Sequence, residues 1–192
     1  MDLLVFAEKV RMLKSVKRTG WALKGVKEPD SVAGHSFSLA LLAFVYSRKF
    51  GLDADKAVRL ALVHDLCEVY TGDITTRLDE KDQAFSNSEK RQKETDALEK
   101  LAALLPGDMR GEIKALWQEF EARSTREAKL VKDLDRLEMS LEALHHARMG
   151  EGNLQEFFDV AARDIRTPEI RKIFLKIYEE FKALAEKKRE RI

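Results

Sequence analysis

The chain has 192 residues, in which 35 lysines and arginines nearly balance 34 aspartates and glutamates. This length can bury a substantial core, and one domain is predicted over residues 1–192. The small net charge excludes a global field that would favour a nucleic acid polymer or an acidic membrane, although a local cluster could bind a small anion. The single cysteine, Cys67, is predicted as a core residue, and no signal peptide or membrane-spanning run is found. These features predict a cytoplasmic protein without a membrane partner.

Three prolines, nine glycines and repeated apolar spacing of 3.6 residues predict an all-α fold. The first helix is expected over residues 2–17 and the second over residues 32–50, with a loop between them over residues 18–31. This loop carries Arg18, Trp21 and two lysines, and it is suited to receive an anion. A solvated basic connector with Trp21 packed beneath it is the alternative that these residue types leave open.

The third predicted helix carries ionisable residues inside an apolar run. Residues 60–73 read LALVHDLCEVYTGD, and the helix is expected to end near Tyr70. His64 and Glu68 are four residues apart and share a helix face, whereas Asp65 is rotated by about 100°. A buried imidazole and carboxylate are costly unless they are satisfied, which a divalent metal would do. A hydrogen-bonded core histidine beside a surface aspartate is the alternative reading of this pair.

The second half of the chain predicts further helices over residues 88–105, 108–123 and 124–149, a short one after Asn153, and a last one from Thr167-Pro168. Residues 79–88 are polar and are predicted as the most mobile segment. The helix over 124–149, with a capping box at Ser124–Glu127, contains both Asp133 and Asp135. These two side chains project about 200° apart, so only one can face a given centre. His145 and His146 lie ~15 Å beyond Asp135 and are assigned no catalytic role.

Several of these motifs, in this order, resemble the HD-domain metal-dependent phosphohydrolases, in the branch that contains the 5'-deoxynucleotidases. The pattern H…HD…D is formed by His35, His64-Asp65 and Asp135, and the other motifs are RTGW, HDLCEVYTGDI, LDRLEM and NLQEFFD. The resemblance spans nearly the whole chain. It implies a compact helical bundle of about seven to nine helices, and a homodimer.

The resemblance implies that four residues bind a divalent metal: His35, His64, Asp65 and Asp135. It favours Asp135 over Asp133, which is expected to face solvent. Two imidazoles and two carboxylates suit Mn²⁺, Co²⁺, Fe²⁺, Ni²⁺ or Zn²⁺ better than Ca²⁺, and Mg²⁺ is a further candidate.

The resemblance also implies roles around the metal. Glu68 is the expected proton-transfer group, Arg18 orients the phosphate, Trp21 packs on the sugar or base, and Asp73 contacts the sugar 3'-hydroxyl. The loop at residues 76–79 matches a substrate-contacting segment in position only.

The implied reaction is hydrolysis of a small-molecule substrate, a deoxynucleoside 5'-monophosphate, to deoxynucleoside and phosphate by a metal-activated water. One metal and one main arginine match a monophosphate better than a triphosphate. The alternatives are a broader nucleotide phosphomonoesterase, a phosphodiesterase, or a non-catalytic module that binds metal and nucleotide.

Seven apolar residues near the C-terminus exceed what a short helical hairpin needs internally, which also predicts a homodimer. They are Leu154, Phe157, Phe158, Ile170, Ile173, Phe174 and Ile177.

Overall fold

The computed structural model describes residues 2–75, 81 and 83–189, and the predicted all-α fold is confirmed. Within these residues, eight helices have ten or more residues and two are short. The helices are α1 (Leu3–Met12), α2 (Thr19–Leu23), α3 (Val32–Lys49), α4 (Ala54–Val63), α5 (Glu68–Thr71), α6 (Asn87–Ala102), α7 (Gly107–Ala122), α8 (Arg126–Arg148), α9 (Gln155–Asp164) and α10 (Pro168–Arg189). No helix in the described part of the chain is long and apolar enough to cross a membrane.

Helix α8 lies at the centre of the bundle. It packs against α3, α4, α7, α9 and α10, so that most of its circumference is covered. Its apolar residues belong to one hydrophobic cluster that extends along the chain from Leu13 to Phe181. A helix surrounded in this way carries some of its ionisable side chains into the interior, where each needs a partner. In α8 these are Asp133, Asp135, Glu138 and His146.

Short polar side chains fix several of the helix starts. Ser31 accepts a hydrogen bond from the backbone N–H of Gly34 at 3.1 Å, and Asp53, rather than Asp55, accepts one from Lys56 at 2.9 Å. These contacts satisfy N–H groups that have no partner in the first helical turn. The predicted capping box of α8 is wrong, because Thr125 rather than Ser124 accepts from the N–H of Ala128.

The segment between α1 and α3 is more ordered than the predicted loop. Helix α1 ends at Met12, and α2 occupies part of the range 18–31. The two ends of this range are joined, because the N–H of Arg18 donates to the carbonyl of Asp30 at 3.1 Å. This closure fixes the backbone position from which Arg18 and α2 enter the interior.

The third predicted helix is interrupted at the HD pair, so its expected continuation to Tyr70 is wrong. Helix α4 ends at Val63, and α5 begins only at Glu68. Between them the N–H of Leu66 donates to the carbonyl of Val63, and that of Glu68 to Asp65, which are three-residue rather than four-residue spacings. Because the chain is wound more tightly here, the relative directions of the ionisable side chains cannot be read from a regular helix.

The surplus of apolar residues inferred for the C-terminal hairpin is not exposed. Phe158, Ile170 and Phe174 have no accessible surface, and Leu154 retains only 3%. Both α9 and α10 pack against α8, and this contact, which the sequence analysis did not predict, covers their apolar side chains. The loop at residues 76–79 and part of the predicted mobile segment 79–88 lie outside the described residues.

Candidate active site

Four ionisable side chains from different parts of the fold converge beside α8. The Nε2 atom of His35 lies 3.3 Å from Nε2 of His64 and 3.3 Å from Oδ1 of Asp135. Oδ2 of Asp65 lies 2.9 Å from Nε2 of His64 and 3.9 Å from Nε2 of His35. The structure thus brings together all four residues expected from the resemblance, and their role as metal ligands stays a prediction.

The two histidines are oriented by their other ring nitrogens. Nδ1 of His64 lies 2.7 Å from the carbonyl oxygen of Ala61, and Nδ1 of His35 lies 2.6 Å from Oε2 of Glu138. Both partners are acceptors, so each Nδ1 donates a proton and each Nε2 is the ring nitrogen that faces the cluster. Sequence reasoning missed Glu138, although it follows Asp135 by three residues and therefore shares its face of α8.

The electrostatics of the cluster favour a positive charge at its centre. Burial raises the pKa of the Asp65 carboxyl, but the imidazoles of His64 and His35 outweigh burial and hold this pKa below its usual value. Burial likewise raises the pKa of Asp135, while Arg136 and His35 bring it well below its usual value. Burial and Arg18 lower the pKa of His35, yet hydrogen bonds with Asp135 and Glu138 raise it to about 9. Two ionised carboxylates with two imidazoles fit a borderline divalent metal.

A cavity of about 330 Å³ adjoins the cluster. His64, Asp65 and Asp135 line it on one side. Helix α6 contributes one polar face, since its four lining residues recur at helical spacing: Asn87, Lys90, Arg91 and Glu94. This volume suits a small molecule rather than a polymer.

Glu68 lines the cavity close to the cluster, as the proton-transfer prediction requires. Its side chain is only 7% exposed, and its buried Oε2 has no hydrogen-bond partner among the described residues. Burial is the main cause that raises its pKa well above the usual value, and Asp65 and Asp73 add to it against Arg18 and Lys90. A carboxyl group whose pKa is raised in this way holds a proton more readily and can act as a general acid.

The Arg18 side chain is only 15% exposed and lines the same cavity, so the alternative of a solvated basic connector does not describe this residue. Its guanidinium NH1 lies 3.5 Å from Oε2 of Glu138 and has no hydrogen-bond partner within the described part of the chain. Asp73 accepts a hydrogen bond through Oδ2 from the N–H of Thr19 at 2.6 Å, which ties its loop to the start of α2. An anionic substrate group in the cavity would satisfy the guanidinium.

Trp21 also lines the cavity but is only 1% exposed. Its ring lies 4.0 Å from that of Phe157 and 5.5 Å from that of His146, measured between centroids. These neighbours cover much of the indole, which limits the area that remains for packing on a sugar or base. The buried indole Nε1 has no hydrogen-bond partner among the residues described.

The prediction that Asp133 faces solvent is wrong. Asp133 is 2% exposed, and its Oδ2 accepts hydrogen bonds from the N–H groups of Arg166 at 3.1 Å and Thr167 at 2.6 Å. Because α8 is covered on most sides, a side chain that points away from the metal cluster meets the turn between α9 and α10 instead of water.

In the described part of the chain, a helical bundle holds a buried cluster of His35, His64 and Asp135, with the partly exposed Asp65 against it, beside a polar cavity. This arrangement is expected of a metal-dependent phosphohydrolase. The chain belongs to the HD-domain family, because residues 10–183 match the HD domain. The predicted family resemblance is therefore confirmed.

Similar proteins cover nearly the whole chain. The 5'-deoxynucleotidase HDDC2 of Xenopus laevis is 40% identical over 181 residues, which are 93% of this chain and 87% of the relative. The protein of the same name from Homo sapiens is 40% identical over 171 residues, 88% of this chain and 81% of the relative. Among solved structures, the PH0347 protein of Pyrococcus horikoshii is 32% identical, with a TM-score of 0.73 over 94% of this chain and 99% of that one.

Proposed function

We propose that the protein is a metal-dependent 5'-deoxynucleotidase, which hydrolyses deoxynucleoside 5'-monophosphates to a deoxynucleoside and phosphate. The observation that carries the proposal is a buried carboxyl of raised pKa, Glu68, in a cavity that also presents Arg18 and the His-Asp cluster. The relatives named 5'-deoxynucleotidase, at 40% identity over most of the chain, support the same activity.

The metal would be held by His35, His64, Asp65 and Asp135, whose donor atoms suit Mn²⁺, Co²⁺, Fe²⁺, Ni²⁺ or Zn²⁺, with Mg²⁺ as a further candidate. When bound, such a metal stabilises negative charge on a phosphoryl oxygen and lowers the pKa of a water molecule. His35 and His64 would hold the metal through Nε2, because Glu138 and the Ala61 carbonyl hold their Nδ1–H groups.

The remaining groups bind the substrate and move a proton. Arg18, which lines the cavity, donates hydrogen bonds from its guanidinium group to the phosphate oxygens. Water attacks phosphorus, the bond from phosphorus to the 5'-oxygen breaks, and Glu68 donates its proton to that leaving oxygen. The proton that the attacking water releases then returns Glu68 to its protonated form. Asp73 uses one oxygen to hold Thr19 and offers the other to the sugar 3'-hydroxyl, while Trp21 borders the sugar.

Phosphate release from a panel of nucleotides tests this proposal directly. The metal-stripped protein is assayed with each divalent metal and with deoxynucleoside monophosphates, ribonucleoside monophosphates and deoxynucleoside triphosphates. Metal-dependent release from deoxynucleoside monophosphates is expected. Tripolyphosphate release from triphosphates would instead place the protein among the triphosphohydrolases, and nucleotide binding without any hydrolysis would indicate a binding module.

We also propose that the protein forms a homodimer through α3 rather than through the C-terminal hairpin. Phe37 is 65% exposed, and Leu41, Phe44 and Val45 follow it at helical spacing with 53%, 40% and 57% exposed. A two-fold axis places the same patch on both partners, so this apolar stripe can pack against its own copy. The cytoplasmic location and the single domain over residues 1–192 stay predictions.

A further inference from the structure

We propose that Glu138 is a positioning residue that orients His35 for metal binding and Arg18 for phosphate binding through a single carboxylate oxygen. This inference rests on the proposed function, because it concerns how one residue positions both a metal-binding and a phosphate-binding side chain of that active site. Oε2 of Glu138 lies 2.6 Å from Nδ1 of His35 and 3.5 Å from NH1 of Arg18. Glu138 thereby links three segments that are distant in the sequence: α8, α3 and the residues that precede α2.

The contact with His35 determines which ring nitrogen is available to a metal. An ionised or neutral carboxyl oxygen can accept the Nδ1–H, which leaves the Nε2 lone pair for the cluster. His64 obtains the same orientation from a backbone carbonyl, that of Ala61, and does not depend on Glu138. Loss of Glu138 should therefore weaken metal binding through one ligand without abolishing it.

The contact with Arg18 fixes the end of the side chain that meets the phosphate. The backbone there is already held, since the N–H of Arg18 donates to Asp30 and that of Thr19 to Asp73. The guanidinium itself has one ion pair within 4 Å among the described residues, and it is with Glu138. Without that carboxylate, the guanidinium on its flexible side chain loses its anchor. A smaller fraction of Arg18 conformers then points at the cavity.

Two substitutions separate these effects. Glu138→Gln keeps an oxygen that can accept from His35 but removes the charge that holds Arg18. Glu138→Ala removes both. Glu142→Gln is the matched control, because Glu142 lies one turn further along α8, contacts His146 at 3.2 Å and does not line the cavity.

The affinity for Co²⁺ is measured by competition with a chelator, and the affinity of the Co²⁺-loaded protein for inorganic phosphate is measured by calorimetry. Glu138→Ala should weaken Co²⁺ binding by about 10–100-fold, the usual effect of removing the partner of a ligating histidine. Glu138→Gln should retain Co²⁺ binding but weaken phosphate binding by about tenfold, as expected for a lost charge-assisted contact. Glu142→Gln should match the wild type in both measurements.

A double-mutant cycle with Arg18→Ala distinguishes positioning from a general structural role. If Glu138 acts through Arg18, Glu138→Gln should not weaken phosphate binding further once Arg18 is absent. Additive losses would overturn the proposal, as would wild-type Co²⁺ affinity in Glu138→Ala. If circular dichroism shows that Glu138→Ala does not fold, the test uses Glu138→Gln alone. An unchanged phosphate affinity in Glu138→Gln would then overturn the proposal.

Neither binding measurement needs turnover. If the wild-type protein released no phosphate from nucleotides, the proposed function would be contradicted. The Co²⁺ and phosphate affinities would still decide the role of Glu138.

Discussion

Replacement of Asp133 by alanine should destabilise the fold without removing the metal, although Asp133 lies only two residues from Asp135. Its Oδ2 accepts the N–H groups of Arg166 and Thr167 at 3.1 and 2.6 Å. Hydrogen bonds to a charged group contribute about 1.5–3 kcal/mol each, and because Arg166 is exposed, water compensates part of the loss, which leaves about 2–4 kcal/mol in total. In a chain of this size, this corresponds to a decrease in Tm of roughly 5–15 °C.

Thermal unfolding followed by circular dichroism measures this loss, and elemental analysis of the folded protein measures its metal content. Asp133→Asn is the matched control, because the amide oxygen can still accept both N–H groups, so most of the stability should return. Asp135→Ala should show the opposite pattern, a loss of metal. A wild-type Tm in Asp133→Ala would refute the stabilising role of these two hydrogen bonds, and a folded variant without metal would assign Asp133 to the cluster.

Three further outcomes are expected. Glu68→Gln should lower kcat by about 10²–10⁴ with unchanged metal content, the usual contribution of general acid–base catalysis, and an unchanged kcat in steady-state assays would remove the role given to Glu68. His64→Ala and Asp65→Ala should each lose both bound metal and activity, so full metal content in Asp65→Ala by elemental analysis would contradict the ligand assignment. Phe37→Ser combined with Leu41→Ser should convert a sedimenting dimer into a 22.0 kDa monomer, whereas a wild type that is already monomeric at micromolar concentration would contradict the dimer.

The sequence by itself determined the helical class, the family and the residues of the candidate metal site. Local signals were sufficient for much of this, because apolar spacing shows which face of a helix is covered and short polar residues mark its start. The pair Thr167-Pro168 at the start of α10 is one such signal. The motif around His64 and Asp65 left both a metal site and a hydrogen-bonded core histidine open, and the resemblance to the HD-domain family indicated the chemistry.

The partners of the buried side chains were decided only by the tertiary structure. The spacing of Asp133 and Asp135 showed that they point in different directions, but not that the α9–α10 turn would occupy one of those directions. The pairing of Glu138 with His35 joins residues 103 positions apart, a separation at which helical periodicity carries no information. The chain between Val63 and Glu68 is likewise wound more tightly than a regular helix, so the shared helix face that the sequence predicts for His64 and Glu68 does not apply there. Periodicity locates a buried face along one helix, whereas the groups that meet it depend on how distant helices pack.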